Sequence, residues 1–442
     1  MKKVLLLGAG LVSKPLARYL LEKKDIELTV ATRTVEKANK LTEGKENGKA
    51  VPLNITEEEA KLDMLVSQSD LVISLLPYVH HVKVADMCIK HKKNMVTTSY
   101  VSPAMKERDE KAKEAGITIL NEIGVDPGID HMSAMRVIDH VKKNGGKIIS
   151  FKSYCGGLPA PEANTNPFGY KFSWSPRGVL MAARNPAKYL EDGKIIEIPS
   201  QELFSNYHFV EVPGAGVFEA YPNRDSLPYM ELYGLKDCKT MSRWTLRNIS
   251  HCETWKAMAD LGLFSEEEII TQDMTYAEFI LSMAGKKKGK RSNLNSALMK
   301  KLKLKTESVV LKKFEWLGLF SEKKIGKEKS TPIDILAELM LEKMEYAPSE
   351  RDMLLMHHEF IAEFGSHKEK IFSTMVDYGI KDGDSSMSRT VSLPAAIASA
   401  MILDGKIDLK GVLIPVFPQI YEPVLDELKT LGIECKESTE KI

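Results

Sequence analysis

Residues 1–34 leave this chain few ways to fold. Val4 to Leu7 is a short apolar run, Gly8-Ala9-Gly10 is a turn that only small residues fit, and residues 14–21 carry a helical period. Residues 26–32 return as a second, β-branched strand. Strand, glycine turn, helix and strand in this order make a dinucleotide-binding βαβ unit. The first glycine permits the tight turn, the second lets the backbone approach a pyrophosphate, and that anion rests on the helix N-terminal amides. The third small position of the pattern is Ser13. Gly8, Gly10, Leu11 and Val12 are therefore candidate cofactor contacts.

The end of the second strand selects the cofactor. An NAD site needs Asp or Glu there for the ribose hydroxyls, whereas a 2′-phosphate needs a cation. This chain has Thr32-Arg33-Thr34. Arg33 can make a charge-assisted pair with the phosphate and Thr34 can add a donor, which favours NADP(H); the competing reading is a solvated arginine in a turn.

Strands and helices continue to alternate. Strands are expected over 50–53, 70–76, 96–100 and 117–120, with helices over 57–66, up to Met87 and over 106–115. The fold class is α/β, a Rossmann-type doubly wound parallel sheet, with its ligand crevice at the carboxyl ends of the strands. Leu75, Leu76, Ser99, Tyr100, Val125 and Asp126 fall at those ends. Asp126-Pro127 suits an N-cap and first helical position ahead of a stripe at Ile129, Met132, Met135 and Ile138, and Asp126 suits a substrate contact equally well.

After Lys147 the character changes. Residues 148–154 read as a strand, and Cys155-Gly156-Gly157-Leu158-Pro159-Ala160-Pro161 as a rigid loop. Residues 166–176 and 221–226 are polar-aromatic loops, suited to ligand contact or to aromatic packing. Arg243, Thr245 and Arg247 share one strand face, which fits a carboxylate substrate or an exposed face paired with acids. Residues 252–345 are helical in pattern, and Leu-Gly-Leu-Phe-Ser-Glu occurs at 261–266 and 317–322 as a helix stop, with Ser265 and Glu268 expected as a capping box. His80-His81 and His357-His358 lack ligand partners at helical spacing and are expected in loops or at the surface, with His80 able to face the crevice. Residues 368–378 read as a strand, and 386–403 as a long apolar helix that can return to the first domain.

Composition narrows the function classes. A chain of 442 residues holds about two to four domains. A net charge of +1 gives no field favouring nucleic acid or an anionic membrane, and the Lys/Arg run at 286–291 lacks aromatic interleaving, as in a solvated loop. No apolar stretch has transmembrane length, and Met1-Lys2-Lys3 leads directly into a core strand, so a cytoplasmic protein is expected. Five cysteines without paired short spacing argue against disulfides and against a metal site.

Four motifs together, NEIGVDPGIDH at 121–131, SYCGGLPAP at 153–161, YKFSWS at 170–175 and YPNRDS at 221–226, resemble the glutamate-forming saccharopine dehydrogenase family, over nearly the whole chain. The sequence departs from that pattern at Trp244 and at Asn54. The resemblance implies a Rossmann NADP domain at 1–125 completed by 386–442, a mixed α/β substrate and dimerisation domain at 126–251 with 346–385, and a small helical domain at 252–345. It implies interconversion of saccharopine, NADP and water with L-glutamate, 2-aminoadipate 6-semialdehyde and NADPH, by a homodimer. Implied substrate contacts are Ser99, Tyr100, Asp126, Arg224, Thr245, Leu246 and Arg247, with Ser99, Asp126 and Ser175 also near the cofactor. Saccharopine carries three carboxylates, which suits Arg224 and Arg247. Asp126, Tyr100 and Cys155 are the titratable candidates for holding the amine and moving protons. The rival readings are a reductase of another amino acid imine, such as a carboxylated polyamine precursor, and a non-catalytic NADPH-sensing scaffold.

Overall fold

A computed structural model of the protein describes residues 1–286 and 293–442. The basic run read as a solvated loop lies, from Lys287 onward, outside the described residues. The chain opens with β1 (Lys2–Leu7), α1 (Ser13–Leu21), β2 (Ile26–Thr32), α2 (Val35–Thr42), β3 (Gly48–Pro52), α3 (Glu59–Gln68) and β4 (Leu71–Ser74). It continues through α4 (His81–His91), β5 (Asn94–Thr97), α5 (Pro103–Lys106), α6 (Asp109–Glu114), β6 (Thr118–Leu120) and α7 (Ile129–Lys143). The middle carries β7 (Lys147–Pro159), α8 (Pro176–Ala182), β8 (Ala187–Glu191), β9 (Lys194–Ile198), β10 (His208–Val212), β11 (Gly216–Pro222), α9 (Pro228–Leu232) and β12 (Thr240–Arg247). Then follow α10 (His251–Asp260), β13 (Ile269–Ile270), α11 (Tyr276–Met283), α12 (Leu294–Leu302), α13 (Val309–Leu317), β14 (Lys329–Ser330), α14 (Pro332–Lys343) and β15 (Asp352–Phe364). The chain ends with β16 (His367–Tyr378), α15 (Ser386–Leu403), β17 (Gly411–Leu413), α16 (Pro418–Thr430) and β18 (Lys436–Lys441).

These elements form two compact units, one of residues 1–148 with 362–442 and the other of residues 149–361. The first is built on a seven-stranded sheet in the order β17-β6-β5-β4-β1-β2-β3, and every neighbouring pair is parallel. Val4 to Leu7 and Leu71 to Ile73 are almost wholly buried, as strands covered on both faces must be. The strand order reverses between β1 and β4, where Leu7 is level with Ser74 and with Ala31, so the ligand crevice opens above those residues. The last strand comes from the far end of the chain, Gly411 pairing with Thr118, and α15 packs against α1. Long and apolar enough to cross a bilayer, α15 instead has 83% of its apolar window inside this core.

Two expectations for this unit need correction. The helix expected over 106–115 is broken into α5 and α6 at Glu107 and Arg108, and α5 is started by Ser102 accepting the Met105 amide at 3.1 Å. Asp126 is not a helix cap. The Gly124 N–H donates to the Pro127 carbonyl at 2.9 Å, closing a turn that pushes the start of α7 to Ile129. Asp130 serves the free amides there, its Oδ1 accepting from Gly128 at 2.6 Å and His131 at 2.8 Å. Ile129, Met132, Met135 and Ile138 are buried, as their spacing requires.

The second unit is organised on strands in the order β10-β11-β12-β7-β15, with β8 paired to β12 and β9 to β8. The run expected as a rigid loop from Cys155 continues β7 as far as Pro159. A Cβ at Gly156 would lie 2.6 Å from the Leu246 carbonyl oxygen, so the glycine marks close approach of two strands and not a turn. In the loop after it, Phe168, Tyr170 and Phe172 are buried, and aromatic packing is what that sequence encodes. Gly262 (φ 74°) and Gly318 (φ 102°) are the left-handed helix stops that the repeated motif implied. No helix starts after Ser265, however; its hydroxyl takes the Glu267 amide and the chain goes on into β13, while Thr275 and Glu278 form the capping box of α11. His357 and His358 are buried on β15, not at the surface, because their rings pack against Tyr154 and Phe151 of β7.

Gly128 combines a φ of 148° with a Cβ position only 2.0 Å from the Gly124 carbonyl oxygen, whereas nothing lies within 4 Å of a Cβ at Gly10. Gly128→Ala is therefore expected to destabilise the protein by more than about 4 kcal/mol and Gly10→Ala by less than about 1 kcal/mol. Urea denaturation midpoints of the two variants check this, and similar midpoints would contradict it.

Candidate active site

The crevice of the first unit is shaped by two glycines that act differently. At Gly8 (φ 104°) a Cβ would come 3.0 Å from the Leu75 carbonyl oxygen, so the turn after β1 presses on the end of β4. At Gly10 the space is open. Ser13 is buried and closes the turn on itself, its Oγ accepting the Gly10 amide at 3.0 Å and donating to the Gly8 carbonyl at 3.3 Å. No side chain caps α1, and Leu11 is exposed over the opening. Helix amides without side-chain caps beside an unobstructed glycine are what a diphosphate requires. Arg33 is exposed beyond β2 and makes no hydrogen bond or ion pair among the described residues, and Thr34 beside it is exposed with no capping role. A free cation and a free hydroxyl where an NAD site would place a carboxylate fit a 2′-phosphate. Asn54 is engaged locally, its Oδ1 accepting from the Thr56 hydroxyl at 2.8 Å.

Further along the same strand ends, His81, expected in a loop or at the surface, is instead a buried residue that orders the floor, because its ring is enclosed by the hydroxyls of three strand-end residues. His81 is buried on the first turn of α4, with Nδ1 2.9 Å from Ser74 Oγ and Nε2 2.8 Å from Ser99 Oγ and 3.3 Å from Thr97 Oγ1. Burial, with some help from His80, pulls its pKa down to about 4, so the ring is neutral. His80, the one expected to face the crevice, is a partly exposed member of a short 3-10 turn. Leu75 and Leu76 follow β4 half-buried. The Tyr100 hydroxyl donates to Asp126 Oδ1 at 3.1 Å, so these two predicted residues meet, and Val125 beside them is buried.

In the second unit, strand register collects the other candidates. Thr245 on β12 is level with Cys155 on β7 and with Tyr221 on β11, and paired residues project to the same side. Arg243, Thr245 and Arg247 therefore share a face with Cys155 and Tyr221. Leu246 and Trp244 lie on the opposite face. There Trp244 is buried against Tyr189 and His208, with its indole N–H donating to Ser242 Oγ at 2.8 Å.

The two arginines of the shared face are both buried, so that face is not the exposed one of the alternative reading. Arg243 donates to the Tyr229 hydroxyl at 3.1 Å and lies over its ring. Arg247 lies 5.0 Å from the Tyr170 ring centre, donates to the Leu246 carbonyl at 2.7 Å, and leaves a buried Nε with no partner. Glu219, level with Arg247 on β11, is diverted, because its two oxygens accept the Ser250 and Cys252 amides at 2.7 Å each. A buried guanidinium with an orphan N–H and no carboxylate partner among the described residues has the capacity to receive an anion. Arg224 (φ 55°) is exposed in the loop after β11. Ser175 caps α8, its Oγ accepting the Gly178 amide at 3.2 Å. All five cysteines are free thiols, and no cluster able to hold a metal occurs among the described residues.

The relatives of the chain carry the same division of labour in their names. Residues 4–120 match the family model of the saccharopine dehydrogenase NADP binding domain, and residues 124–433 match that of the saccharopine dehydrogenase C-terminal domain. The chain belongs to the saccharopine dehydrogenase family. It is 42% identical over 445 residues to saccharopine dehydrogenase [NADP(+), L-glutamate-forming] of Saccharomyces cerevisiae, covering 99% of each chain. It is 41% identical to the mitochondrial alpha-aminoadipic semialdehyde synthase of Bos taurus, covering 98% of this chain and 47% of that protein. The solved apo saccharopine dehydrogenase (L-Glu forming) from S. cerevisiae superposes with a TM-score of 0.90 over 100% of both chains, at 41% identity. As in this family, the chain is an NADP-dependent oxidoreductase.

His81 generates a prediction with a defined sign. Its folded pKa, about 4, lies below the ordinary 6.5, so the unfolded chain binds the extra proton and stability is lost as pH falls through that window. At ~1.4 kcal/mol per unit, the wild type should lose about 2 kcal/mol more than His81→Gln between pH 7 and pH 5. Urea titrations at the two pH values measure the difference, and parallel losses would contradict it.

Proposed function

We propose that this protein interconverts saccharopine, NADP and water with L-glutamate, 2-aminoadipate 6-semialdehyde and NADPH. The observation that carries the reading is Arg247, buried with an orphan Nε on the strand face that also bears Thr245, Cys155 and Tyr221. A substrate with three carboxylates supplies the anion that this guanidinium lacks. Arg224 and Thr245 complete the carboxylate contacts and Ser99 adds a hydroxyl, while Leu246, its side chain on the other face, can contribute only through its backbone.

When bound, NADP would supply the hydride acceptor for the substrate carbon next to the secondary amine. The work of this chain is to place and protonate. Gly8, Gly10, Leu11 and Val12 would hold the diphosphate, Arg33 and Thr34 the 2′-phosphate, and Leu75, Leu76, Ser99, Val125 and Asp126 the nicotinamide half, with Ser175 an additional contact. Loss of hydride and of the amine proton leaves a C=N bond. Water adds to that carbon, and the carbon–nitrogen bond breaks to give the aldehyde and the amine of glutamate. The Asp126 carboxylate attracts the protonated amine and the developing iminium, and its partner Tyr100, with Cys155, relays protons.

On this reading residues 1–125 with 386–442 bind the dinucleotide, 126–251 with 346–385 bind substrate and form the dimer contact, and 252–345 form the helical domain. Exposed Phe209, Ile195 and Val217 in the second unit suit an apolar homodimer contact, and five free thiols suit the reducing cytoplasm.

The deciding experiment follows NADP reduction with saccharopine beside a panel containing carboxylated polyamines. Turnover of saccharopine alone is expected, and turnover of a carboxylated polyamine alone would overturn the reading. Arg33→Ala should weaken NADPH by roughly ten- to a hundredfold, equivalent to about 1.5–3 kcal/mol for one charge-assisted contact, while changing NADH affinity little. Fluorescence titration of both cofactors tests this; an unchanged NADPH affinity would return Arg33 to the role of a solvated turn residue.

A further inference from the structure

We propose that Glu122, a residue with no chemistry of its own in the reaction, positions the Tyr100–Asp126 pair; this rests on the function proposed above. The segment bearing Tyr100 has left the sheet, since β5 ends at Thr97. Glu122 fixes it on both sides. Its backbone N–H donates to the Ser99 carbonyl at 3.1 Å, and its Oε1 accepts the Val101 amide at 2.9 Å. Tyr100 is thereby held between two residues tied to Glu122, Ser99 through its backbone N–H and Val101 through its carboxylate. The other oxygen, Oε2, lies 2.8 Å from Nε2 of His131, which is wholly buried on the first turn of α7. Asp126 stands in the turn between Glu122 and that helix and receives the Tyr100 hydroxyl.

Two features mark this as more than packing. Glu122 is buried and adopts φ 56°, a left-handed conformation that a non-glycine residue keeps only where its surroundings enforce it. Its carboxylate is spent on a loop amide where an apolar residue could fill the volume, and a buried charge is retained at such cost where geometry matters. The positions so fixed are the two ends of a 3.1 Å hydrogen bond between candidate proton-handling groups. A displacement of about 1 Å at such a site is enough to lower turnover a hundredfold.

Because Glu122 would act through Asp126, the test is a double-mutant cycle. Glu122→Ala is expected to lower kcat for saccharopine by at least about tenfold while changing its KM and the NADPH dissociation constant by less than about threefold. Glu122→Gln keeps an acceptor for the Val101 amide and should recover most of the loss. In the Asp126→Asn background, where the carboxylate to be placed is already gone, Glu122→Ala should cost less than about twofold more. Should Glu122→Ala fail to accumulate, His131→Asn releases one carboxylate oxygen and is expected to show the same pattern, at least about threefold in the wild type and none in Asp126→Asn. Equal losses in both backgrounds, or an unchanged kcat, would overturn the inference. A wild type that fails to reduce NADP with saccharopine would refute the proposed function, whereas wild-type turnover with additive losses refutes this inference alone.

Discussion

A parallel sheet exposes neither face, and the architecture of the first unit follows from satisfying that demand. Strands β1 and β4 are buried along almost their whole length, so helices must cover both sides, and the stretch of chain before α7 is not the only source of them. α15, α16 and the edge strand β17 return from beyond residue 385 to finish the work. Once the sheet is covered in this way, the row of carboxyl ends stays open. The turn at Gly8 pressing on Leu75, the His81 hydroxyl cluster and the Tyr100–Asp126 pair all lie on that row.

The second unit solves a different problem, how to keep a buried cation unsatisfied. Arg247 has an acid level with it on the next strand, and leaving the two to pair would close the receptor. Glu219 is instead consumed by the amides at the start of α10, a use that helix N-termini favour. Lys313 serves the opposite polarity at the same place, donating to the Ser250 carbonyl at 3.0 Å and hydroxyl at 2.8 Å while burial pulls its pKa down to about 8. Neighbouring charges are thus tied to backbone, and the guanidinium keeps its capacity for an incoming carboxylate.

What could be read from the sequence was what local rules determine. The strand–glycine–helix grammar of residues 1–32 and the alternation that follows are short-range patterns, and the helix stops at Gly262 and Gly318 need only a left-handed residue. The strand face of Arg243, Thr245 and Arg247 also followed from a period of two. The misreadings came where tertiary contacts overruled local chemistry. Asp126-Pro127 has the composition of a helix start, but a turn closed by Gly124 and Pro127 moved the start onward. Gly156 and Gly157 have the composition of a loop, but at Gly156 a neighbouring backbone needed the room. Nothing in the spacing of His81, Glu122 or His131 shows that each is buried beside a residue twenty or so positions away or across a turn, and partners of that kind are set by the sheet order.

The pairing of β17 with β6 also has a consequence for synthesis. The two partners, Gly411 and Thr118, are separated by almost three hundred residues of chain. At about 5–20 residues per second, roughly 15 to 60 s pass between the emergence of β6 from the ribosome and the arrival of the strand that covers its edge. During that interval β6 presents an unpaired edge lined by Ile119 and Leu120, and the helices that will shield this half of the sheet have not been made. The long insertion that carries the arginine face thus sets a waiting time in which the nascent chain depends on chaperones, and slow translation through residues 149–361 would be felt as aggregation of a domain that was finished, but for one strand and two helices, long before.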